Sequence, residues 1–144
     1  MRVSDVLRSK GSGVETVSPD TTAVIAIHRL RSLNIGALVV SADGRDVQGI
    51  LSERDVVRGI AEHGSDLLTM RVRALMTRAV AVCRPDDTIQ HVMAEMTRRR
   101  VRHLPVVQDG VLCGIVSIGD VVKSRLDELE LETHVLRDAY IARH

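Results

Sequence analysis

The chain contains an internal repeat, and this repeat constrains the fold more than any other feature of the sequence. The segment Gly49–Val57 returns as Gly114–Val122, with Gly, Ile, Ser, Asp and a pair of Val at matching places. Upstream, Pro19-Asp20 returns as Pro85-Asp86. The offset is 66 residues at the proline and 65 at the glycine, so the first copy carries one extra residue near 43–46. Two tandem copies predict a pseudo-two-fold unit with paired, related clefts.

Composition limits what the two copies can build. Each half is about 65 residues long, which is marginal for burying a core alone, so we expect the halves to pack as one cooperative unit. Apolar residues make up 44% of the chain, which suits a globular core, yet it has one Tyr and no Phe or Trp. The core is therefore expected to consist of aliphatic side chains, and a bound base would stack on them.

Charge and cysteine usage narrow the classes of function. The formal net charge of +1 gives no bulk argument for binding nucleic acid or an anionic membrane. No apolar run reaches the ~18 residues of a membrane span, and no N-terminal apolar segment resembles a signal peptide. Cys83 and Cys113 lack Cys-x-x-Cys spacing and are interpreted as buried thiols. The predicted location is a reducing cytoplasm.

Hydrophobic periodicity predicts the same order of elements in both copies: a short strand, an amphipathic helix, a β-hairpin and a second helix. The helices are expected to begin near Thr22, Glu53, Thr88 and Ile118, and Asp43-Gly44 and Asp109-Gly110 are the turn signals. The predicted strands are Glu15–Val17, Ala37–Val40 and Val47–Leu51, then Val80–Val82, Leu104–Val107 and Val111–Val116.

Each copy is preceded by a matching lead-in helical turn, Val3–Leu7 and Val72–Met76. Their offset of 69 residues indicates three extra residues in the first copy, most simply Gly11–Gly13. Gly64–Met70 links the copies. The predicted domain boundaries are 1–65 for the first repeat, 66–125 for the second and 126–144 for a C-terminal helical extension.

The last segment departs from the first copy because its helical pattern continues to about Tyr140. Apolar positions there step by four and three alternately, which is typical of a short heptad stripe. This stripe could pack on its own module, pair with a second copy or dock a partner. Its members are Val122, Leu126, Leu129, Thr133, Leu136 and Tyr140.

The repeat resembles the cystathionine-β-synthase (CBS) domain family. The shared features are the order of elements, the Leu104-Pro105-Val106 strand, the Asp-Gly hairpin and Gly-hydrophobic-hydrophobic-Ser-x-x-Asp in both copies. The resemblance covers roughly Val3 to Arg125, and two such domains in tandem form a Bateman module. It implies an α/β (α+β) regulatory protein that binds a ligand and performs no catalysis, and it favours a homodimer.

The resemblance also implies where that ligand binds. Family members typically hold adenosine-containing ligands between the paired domains. The motif Asp accepts hydrogen bonds from the ribose, and the motif Ser or Thr meets phosphate. This assigns Ser52 and Asp55 to one cleft and Ser117 and Asp120 to the other. The implied ligands are AMP, ADP, ATP or NAD(H), with S-adenosylmethionine as a further candidate.

These residue types suit that role chemically. A carboxylate accepts two hydrogen bonds from a cis-diol, and a serine at a helix start lies beside free N–H groups that favour an anion. The plainer interpretation is that each Ser-x-x-Asp motif is a helix capping box. The two roles are compatible.

Cationic residues distinguish the two predicted clefts. Arg102 and His103 directly precede Leu104, a place that in the family often faces the cleft, whereas the first repeat has Gly36 and Ala37 there. Arg54 is a second candidate partner for phosphate, and Gly119 replaces it in the second copy. Surface ion pairing and a solvated helix end are the plainer alternatives for these cations and for Arg98–Arg100.

Other classes of function fit the sequence less well. No catalytic motif and no metal-ligand spacing is present, so we expect no enzyme, no catalytic cofactor and no metal site. The lack of aromatics argues against a nucleic-acid interface at Arg98–Arg102. The alternative function is a protein–protein interaction module with vestigial clefts, acting through its C-terminal helix or helical faces. A regulated partner protein is expected but not identified by the sequence.

Overall fold

A computed structural model describes residues 1–11, 13–78 and 80–143. Both repeats adopt the mixed α/β class, which confirms the predicted pair of related units. The insertion assigned to Gly11–Gly13 includes Ser12, which lies outside the described residues. The elements are α1 Val3–Lys10, β1 Thr16–Val17, α2 Ala23–Ser32, β2 Ala37–Val40, β3 Gly49–Ser52, α3 Glu53–His63, a 3₁₀ helix Gly64–Thr69, α4 Val72–Leu75, α5 Ile89–Arg99, β4 His103–Gln108, β5 Val111–Ser117 and α6 Ile118–Arg143.

Each repeat is built on an antiparallel hairpin whose register is the same in both copies. Ala37 of β2 pairs with Ser52 of β3, and His103 of β4 pairs with Ser117 of β5. The second hairpin closes through Asp109 and Gly110, both at positive φ (53° and 77°), as a two-residue primed turn requires.

The first hairpin is closed by a longer loop, in which the Asp43 carboxylate accepts the N–H groups of Arg45 and Asp46. Its second strand therefore begins at Gly49 rather than at the predicted Val47. The extra residue inferred from the repeat offset falls in this loop.

The strand predicted at Val80–Val82 is wrong. β1 pairs in parallel with β2, Val17 opposite Val40, and the residue at the matching place in the second repeat is Cys83. Cys83 forms a single parallel bridge to Val106, and its N–H donates to the Pro105 carbonyl at 2.9 Å. One bridge does not make a strand, and the residues before it lie against the cleft described below.

The described residues form two hydrophobic cores, and each is completed by a helix from the other repeat. Val3 and Leu7 of α1 are buried with Val92, Leu104 and Val116 of the second repeat. Val72 of α4, which precedes the second repeat, is buried in the first core with Val17, Leu30, Leu38 and Leu51. The domain boundaries stay a prediction, but the packed units exchange their lead-in helices.

Backbone hydrogen bonds fix this exchange in the same way on both sides. The N–H of Val3 donates to the Asp87 carbonyl at 2.9 Å, just before α5. The N–H of Val72 donates to the Thr21 carbonyl at 2.8 Å, just before α2. The start of each lead-in helix is thus tied to the start of the first helix in the other repeat.

Helix α6 is 26 residues long and carries the predicted stripe on its surface. Leu126 is 55% exposed, Leu129 41% and Leu136 71%, and Val122, Thr133 and Tyr140 are also exposed. The stripe does not pack on its own module. Pairing with a second copy or docking of a partner remain as its two interpretations.

The exchange predicts that a substitution in α1 weakens the second repeat. Leu7→Ala removes a buried side chain that touches the backbone at Gly114, and we expect a loss of about 2–5 kcal/mol in unfolding free energy. Chemical denaturation measures the loss, and hydrogen exchange should locate the weakened amides in α5, β4 and β5. Arg8→Ala, at an exposed neighbour, is the control. Weakening confined to β2 and β3 would contradict the exchange.

Candidate functional site

The two Ser-x-x-Asp motifs form capping boxes at the N-termini of α3 and α6. Asp55 Oδ2 accepts the Ser52 N–H at 2.8 Å, and Ser52 Oγ accepts the Asp55 N–H at 3.3 Å. In the second repeat the matching distances are 2.9 Å and 3.2 Å for Ser117 and Asp120. The capping interpretation therefore holds in both repeats, and it places each motif where a strand turns into a helix.

A cavity of about 580 Å³ lies between the repeats beside the first motif. It brings together five of the predicted site residues, Ser52, Arg54, Asp55, Arg102 and His103. Ser117 and Asp120 are not among its lining residues. Sequence reasoning missed the apolar and polar lining contributed by Gly36, Ile50, Val57, Thr77, Val80, Ala81, Val101 and Leu104.

The connection after α4 forms part of this cavity because it runs along the edge of the first sheet. Thr77 exchanges backbone hydrogen bonds with Ile50 of β3 at 3.0 and 2.9 Å. The chain then passes Val80 and Ala81 in the cavity wall before it reaches the Cys83 bridge in the second repeat. The cavity walls thus come from both repeats.

Asp55 is almost fully buried, and its two oxygens have different surroundings. Oδ2 is held by Ser52, whereas Oδ1 accepts the Thr77 hydroxyl at 2.9 Å and the Arg58 guanidinium at 3.4 Å. The Arg58 side chain is 61% exposed and the Asp55 side chain 3%, so only the guanidinium end of this ion pair reaches solvent. Oδ1 therefore faces Thr77 and Arg58, whereas Oδ2 is committed to the capping box.

The Asp120 carboxylate has a different hydrogen-bond partner from the Asp55 carboxylate, and the repeat pattern did not reveal this partner. Lys10 Nζ, at the end of α1, donates to Asp120 Oδ2 at 2.6 Å and to the Ile115 carbonyl at 3.0 Å. Burial acts to raise the pKa of Asp120, but the bonds from Lys10 and the Ser117 N–H outweigh it and leave the pKa lowered. Lys10 reaches this place only because α1 is exchanged, so no local sequence signal points to it.

Cations collect on the cavity side of α5. Arg98 and Arg99 share the Glu95 carboxylate, but Arg98 is not a lining residue. Arg100 is in the left-handed region at φ 55°, and its carbonyl accepts the Arg54 guanidinium at 3.1 Å. Arg100, for which the sequence offered a solvated helix end as the plainer interpretation, lines the cavity together with Arg102.

His103 packs against the first repeat. A Cβ placed on Gly36 would lie 3.1 Å from His103 Cε1, so a side chain at Gly36 would press on the ring. Burial is the main cause that lowers the pKa of His103, and Lys10 adds to it, while Asp120 and Glu53 oppose them. His103 is therefore mainly neutral near pH 7.

Other sequence expectations concern thiols, metals and membranes. Cys83 lies in the second core, where burial raises the pKa of its thiol to about 12, and Cys113 packs partly buried beside it. Within residues 1–11, 13–78 and 80–143, no group of three or more His, Cys, Asp or Glu is placed to hold a metal, and His144 lies outside this part. No helix in the same part is long and apolar enough to cross a membrane.

The chain belongs to the CBS-domain family, whose model, described as CBS domain, matches residues 3–62 and 72–127. Two matched domains in tandem constitute a Bateman module, as the resemblance implied.

Three known proteins show how close the likeness is. The CBS domain-containing protein CBSX3, mitochondrial, of Arabidopsis thaliana is 35% identical and covers 96% of this chain, which spans 71% of that protein. The crystal structure of the CBS-domain containing protein ATU1752 from Agrobacterium tumefaciens is 44% identical with a TM-score of 0.83, covering 87% of this chain and 99% of that one. The CBS domain pair of protein MJ0100, solved with 5′-methylthioadenosine and S-adenosyl-L-methionine, is 25% identical with a TM-score of 0.76, covering 88% and 98%.

The lowered pKa of His103 predicts a pH dependence of stability. The folded chain binds a proton at His103 less readily than the unfolded chain, whose His titrates near 6.5. The contribution of this residue to stability is therefore complete above that value and is lost as the pH falls below it. We expect the free energy of unfolding of His103→Gln, measured in urea, to fall less than that of the parent between about pH 7 and pH 5.

His28→Gln is the matched control because His28 is exposed. It should keep the parental pH dependence. If the unfolding free energies of the parent and of His103→Gln changed equally with pH, the lowered pKa of the buried His103 ring would be contradicted.

Proposed function

We propose that this chain is a ligand-responsive regulatory module that binds an adenosine-containing ligand between its CBS repeats and performs no chemistry of its own. The observation that carries the proposal is the cavity of about 580 Å³, which combines an aliphatic wall, a carboxylate and several guanidinium groups. Its volume lies in the usual range for small-molecule sites, roughly 300–1,000 Å³. AMP, ADP, ATP and NAD(H) are the proposed ligands, with S-adenosylmethionine as a further candidate.

Each part of such a ligand has a matching group in the cavity. The base would lie on the aliphatic side chains of Ile50, Val80 and Leu104, the ribose hydroxyls would donate to Asp55 Oδ1, and phosphate would meet Ser52 and the arginines. The relative solved with 5′-methylthioadenosine and S-adenosyl-L-methionine supports an adenosine ligand for this type of domain pair.

Ser117 and Asp120 are the corresponding proposed residues of the second cleft. Here the Lys10 ammonium holds the carboxylate that a ribose would use, with an Nζ–Oδ2 distance of 2.6 Å. A ligand in this cleft would have to displace Lys10. We therefore propose that the Ser52–Asp55 cleft is filled first.

Because walls of the first cleft come from both repeats, a ligand there would shift how the repeats pack. A regulated protein that contacts both repeats would detect this shift. The proposed location of the chain is the cytoplasm. CBS-only proteins are generally regulatory, which supports a role without catalysis.

The first test is thermal unfolding of the full chain, monitored by circular dichroism, in the presence of AMP, ADP, ATP, NADH or S-adenosylmethionine. A ligand at a hundredfold its dissociation constant adds about 2.7 kcal/mol of apparent stability, so at least one compound should raise the midpoint. No rise with any of the five would favour the interaction-module alternative.

Substitution of the paired carboxylates tests which cleft binds. Asp55→Asn keeps an acceptor for the Ser52 N–H but removes the charge, so adenosine affinity should fall about tenfold or more. Asp120→Asn is the matched variant and should change adenosine affinity little. Isothermal titration calorimetry measures both, and a larger effect at Asp120 would overturn the assignment of the first cleft.

The exposed stripe of α6 supports a further proposal, that the chain is a homodimer. In a parallel, in-register helix pair the stripe would be the seam, with Leu126 and Leu136 facing a second copy. The flanking charges are complementary in that arrangement, since Arg125 would meet Glu130 and Glu132 would meet Arg137 across the seam. Docking of a different protein on the stripe is the alternative.

We expect light scattering to give about twice the 15.8 kDa of one chain. Leu129→Glu should weaken the dimer because it places a charge in the seam. Leu131→Glu is the matched control on the opposite side of α6, where Leu131 is 66% exposed, and should leave the dimer intact. A monomer at tens of micromolar would refute the dimer, and equal effects of both variants would move the interface away from this stripe.

A further inference from the structure

We propose that the ligand of the Ser52–Asp55 cleft carries more than one phosphate group, so that ATP and ADP bind in preference to AMP, adenosine and S-adenosylmethionine. This inference rests on the proposed adenosine-binding function and specifies the chemical class of the ligand. It is carried by the charge of the cavity and by the backbone conformation of one of its arginines.

The cavity is lined by five guanidinium groups and two carboxylates, a lining excess of three positive charges. This excess already counts both carboxylates, Glu53 and Asp55, and Asp55 is engaged by Ser52, Thr77 and Arg58. An excess of fixed cations in a partly closed cleft favours an anionic ligand, since the low surrounding dielectric strengthens the attraction.

Three of these guanidinium groups have no carboxylate partner among the described residues. Arg58 pairs with Asp55, and Arg99 pairs with Glu95. In the part of the chain that the structure describes, no ion pair involves Arg54, Arg100 or Arg102. Together they carry three positive charges, whereas one phosphate monoester carries a charge of only about −1.5 to −2 at pH 7, so a ligand with more phosphates matches them better.

These three arginines are also close together. The Arg54 guanidinium donates to the Arg100 carbonyl at 3.1 Å, which joins the start of α3 to the end of α5 across the two repeats. Arg102 is two residues further along, at the entrance to β4. A chain of phosphates that spans this junction would bind residues of both repeats at once.

The backbone at Arg100 provides an independent argument. Arg100 is in the left-handed conformation (φ 55°, ψ 41°), and Asn34 has the same conformation (φ 52°) at the matching place in the first repeat. Asn tolerates this conformation well, whereas a long side chain with a Cβ is disfavoured there. A disfavoured residue in a ligand cleft is a typical mark of a role in binding.

The same charges disfavour S-adenosylmethionine, whose sulfonium and ammonium groups are cationic. They do not strengthen the binding of adenosine, because a neutral nucleoside has no anionic group for the guanidinium groups to bind. The preference should therefore increase with the number of phosphates.

The test is calorimetric titration of the full chain with adenosine, AMP, ADP, ATP, S-adenosylmethionine and inorganic tripolyphosphate at one ionic strength. We expect ATP or ADP to bind at least about tenfold more tightly than AMP, and S-adenosylmethionine to be the weakest. Arg100→Asn and Arg102→Gln should each lower ATP affinity about ten- to a hundredfold and leave adenosine affinity unchanged. Arg100→Asn should also raise the melting midpoint of the free chain, because it relieves the left-handed arginine.

Arg98→Gln is the matched control, since it removes a positive charge from the same helix end but from outside the cavity. It should leave the preference for ATP over AMP intact. If Arg98→Gln lowered ATP affinity as much as Arg100→Asn does, the preference would come from the general electrostatic field of the helix end. The proposed direct contact between Arg100 and phosphate would then be wrong.

Failure of this inference is distinguishable from failure of the proposed function. If adenosine binds but ATP is no tighter than AMP, or S-adenosylmethionine is the tightest, the cleft binds adenosine ligands without the phosphate preference. If tripolyphosphate binds and no adenine compound does, the cleft is an anion site, and both the adenosine function and the nucleotide class are wrong. If nothing binds, both are overturned.

Discussion

The fold depends on the exchange of α1 and α4 between the two repeats. Val3 and Leu7 are buried in the second core, and Val72 is buried in the first, so neither repeat holds a complete core in one continuous stretch of sequence. Halves of this size are marginal on their own, and the exchange lets each repeat bury apolar side chains of a helix from the other. The chain must cross between the repeats after α1 and after α4. Each crossing passes directly beside a Ser-x-x-Asp motif, where Lys10 contacts Asp120 and Thr77 contacts Asp55. The exchange therefore builds the walls of the cleft as well as the cores.

The two Ser-x-x-Asp motifs have the same backbone geometry and differ in their charged partners. At the motif carboxylates, Asp55 accepts the Thr77 hydroxyl and the Arg58 guanidinium at 3.4 Å, while Asp120 accepts the Lys10 ammonium at 2.6 Å. The ammonium is the closer of the two cations, so it offsets the charge of its carboxylate more strongly. The first cleft keeps a cationic lining, because the second repeat supplies Arg100 and Arg102 to it. The two copies of the motif thus have the same capping geometry and differ in the charged side chains around them.

Features set by local chemistry could be predicted from the sequence. The capping boxes at Ser52 and Ser117 and the turn at Asp109-Gly110 depend on a few neighbouring residues, and the structure has each of them. The matching hairpin register follows from the repeat itself. The strand predicted at Val80–Val82 failed because a β-bridge depends on the partner across the sheet, which no periodicity in so short a segment reveals.

Features set by distant parts of the chain could not be predicted. Lys10 contacts Asp120 over 110 positions of sequence, and the helix exchange that brings them together leaves no local pattern. The repeat alignment did indicate that Arg102 and His103 break the symmetry of the clefts. It undervalued Arg100, because a cation at a helix C-terminus is normally explained by the helix dipole. Only the cavity shows that this side chain lines the same space as Asp55.

The central claim is that an adenine nucleotide binds between the repeats at the first motif. A crystal structure of the full chain with bound ADP tests it most directly. The account predicts the base on the aliphatic wall at Ile50 and Val80, the ribose hydroxyls on Asp55, and the phosphates between Arg100 and Arg102, with the Lys10–Asp120 pair intact. ADP bound instead at Asp120, with Lys10 displaced, or no ADP in either cleft, would contradict it.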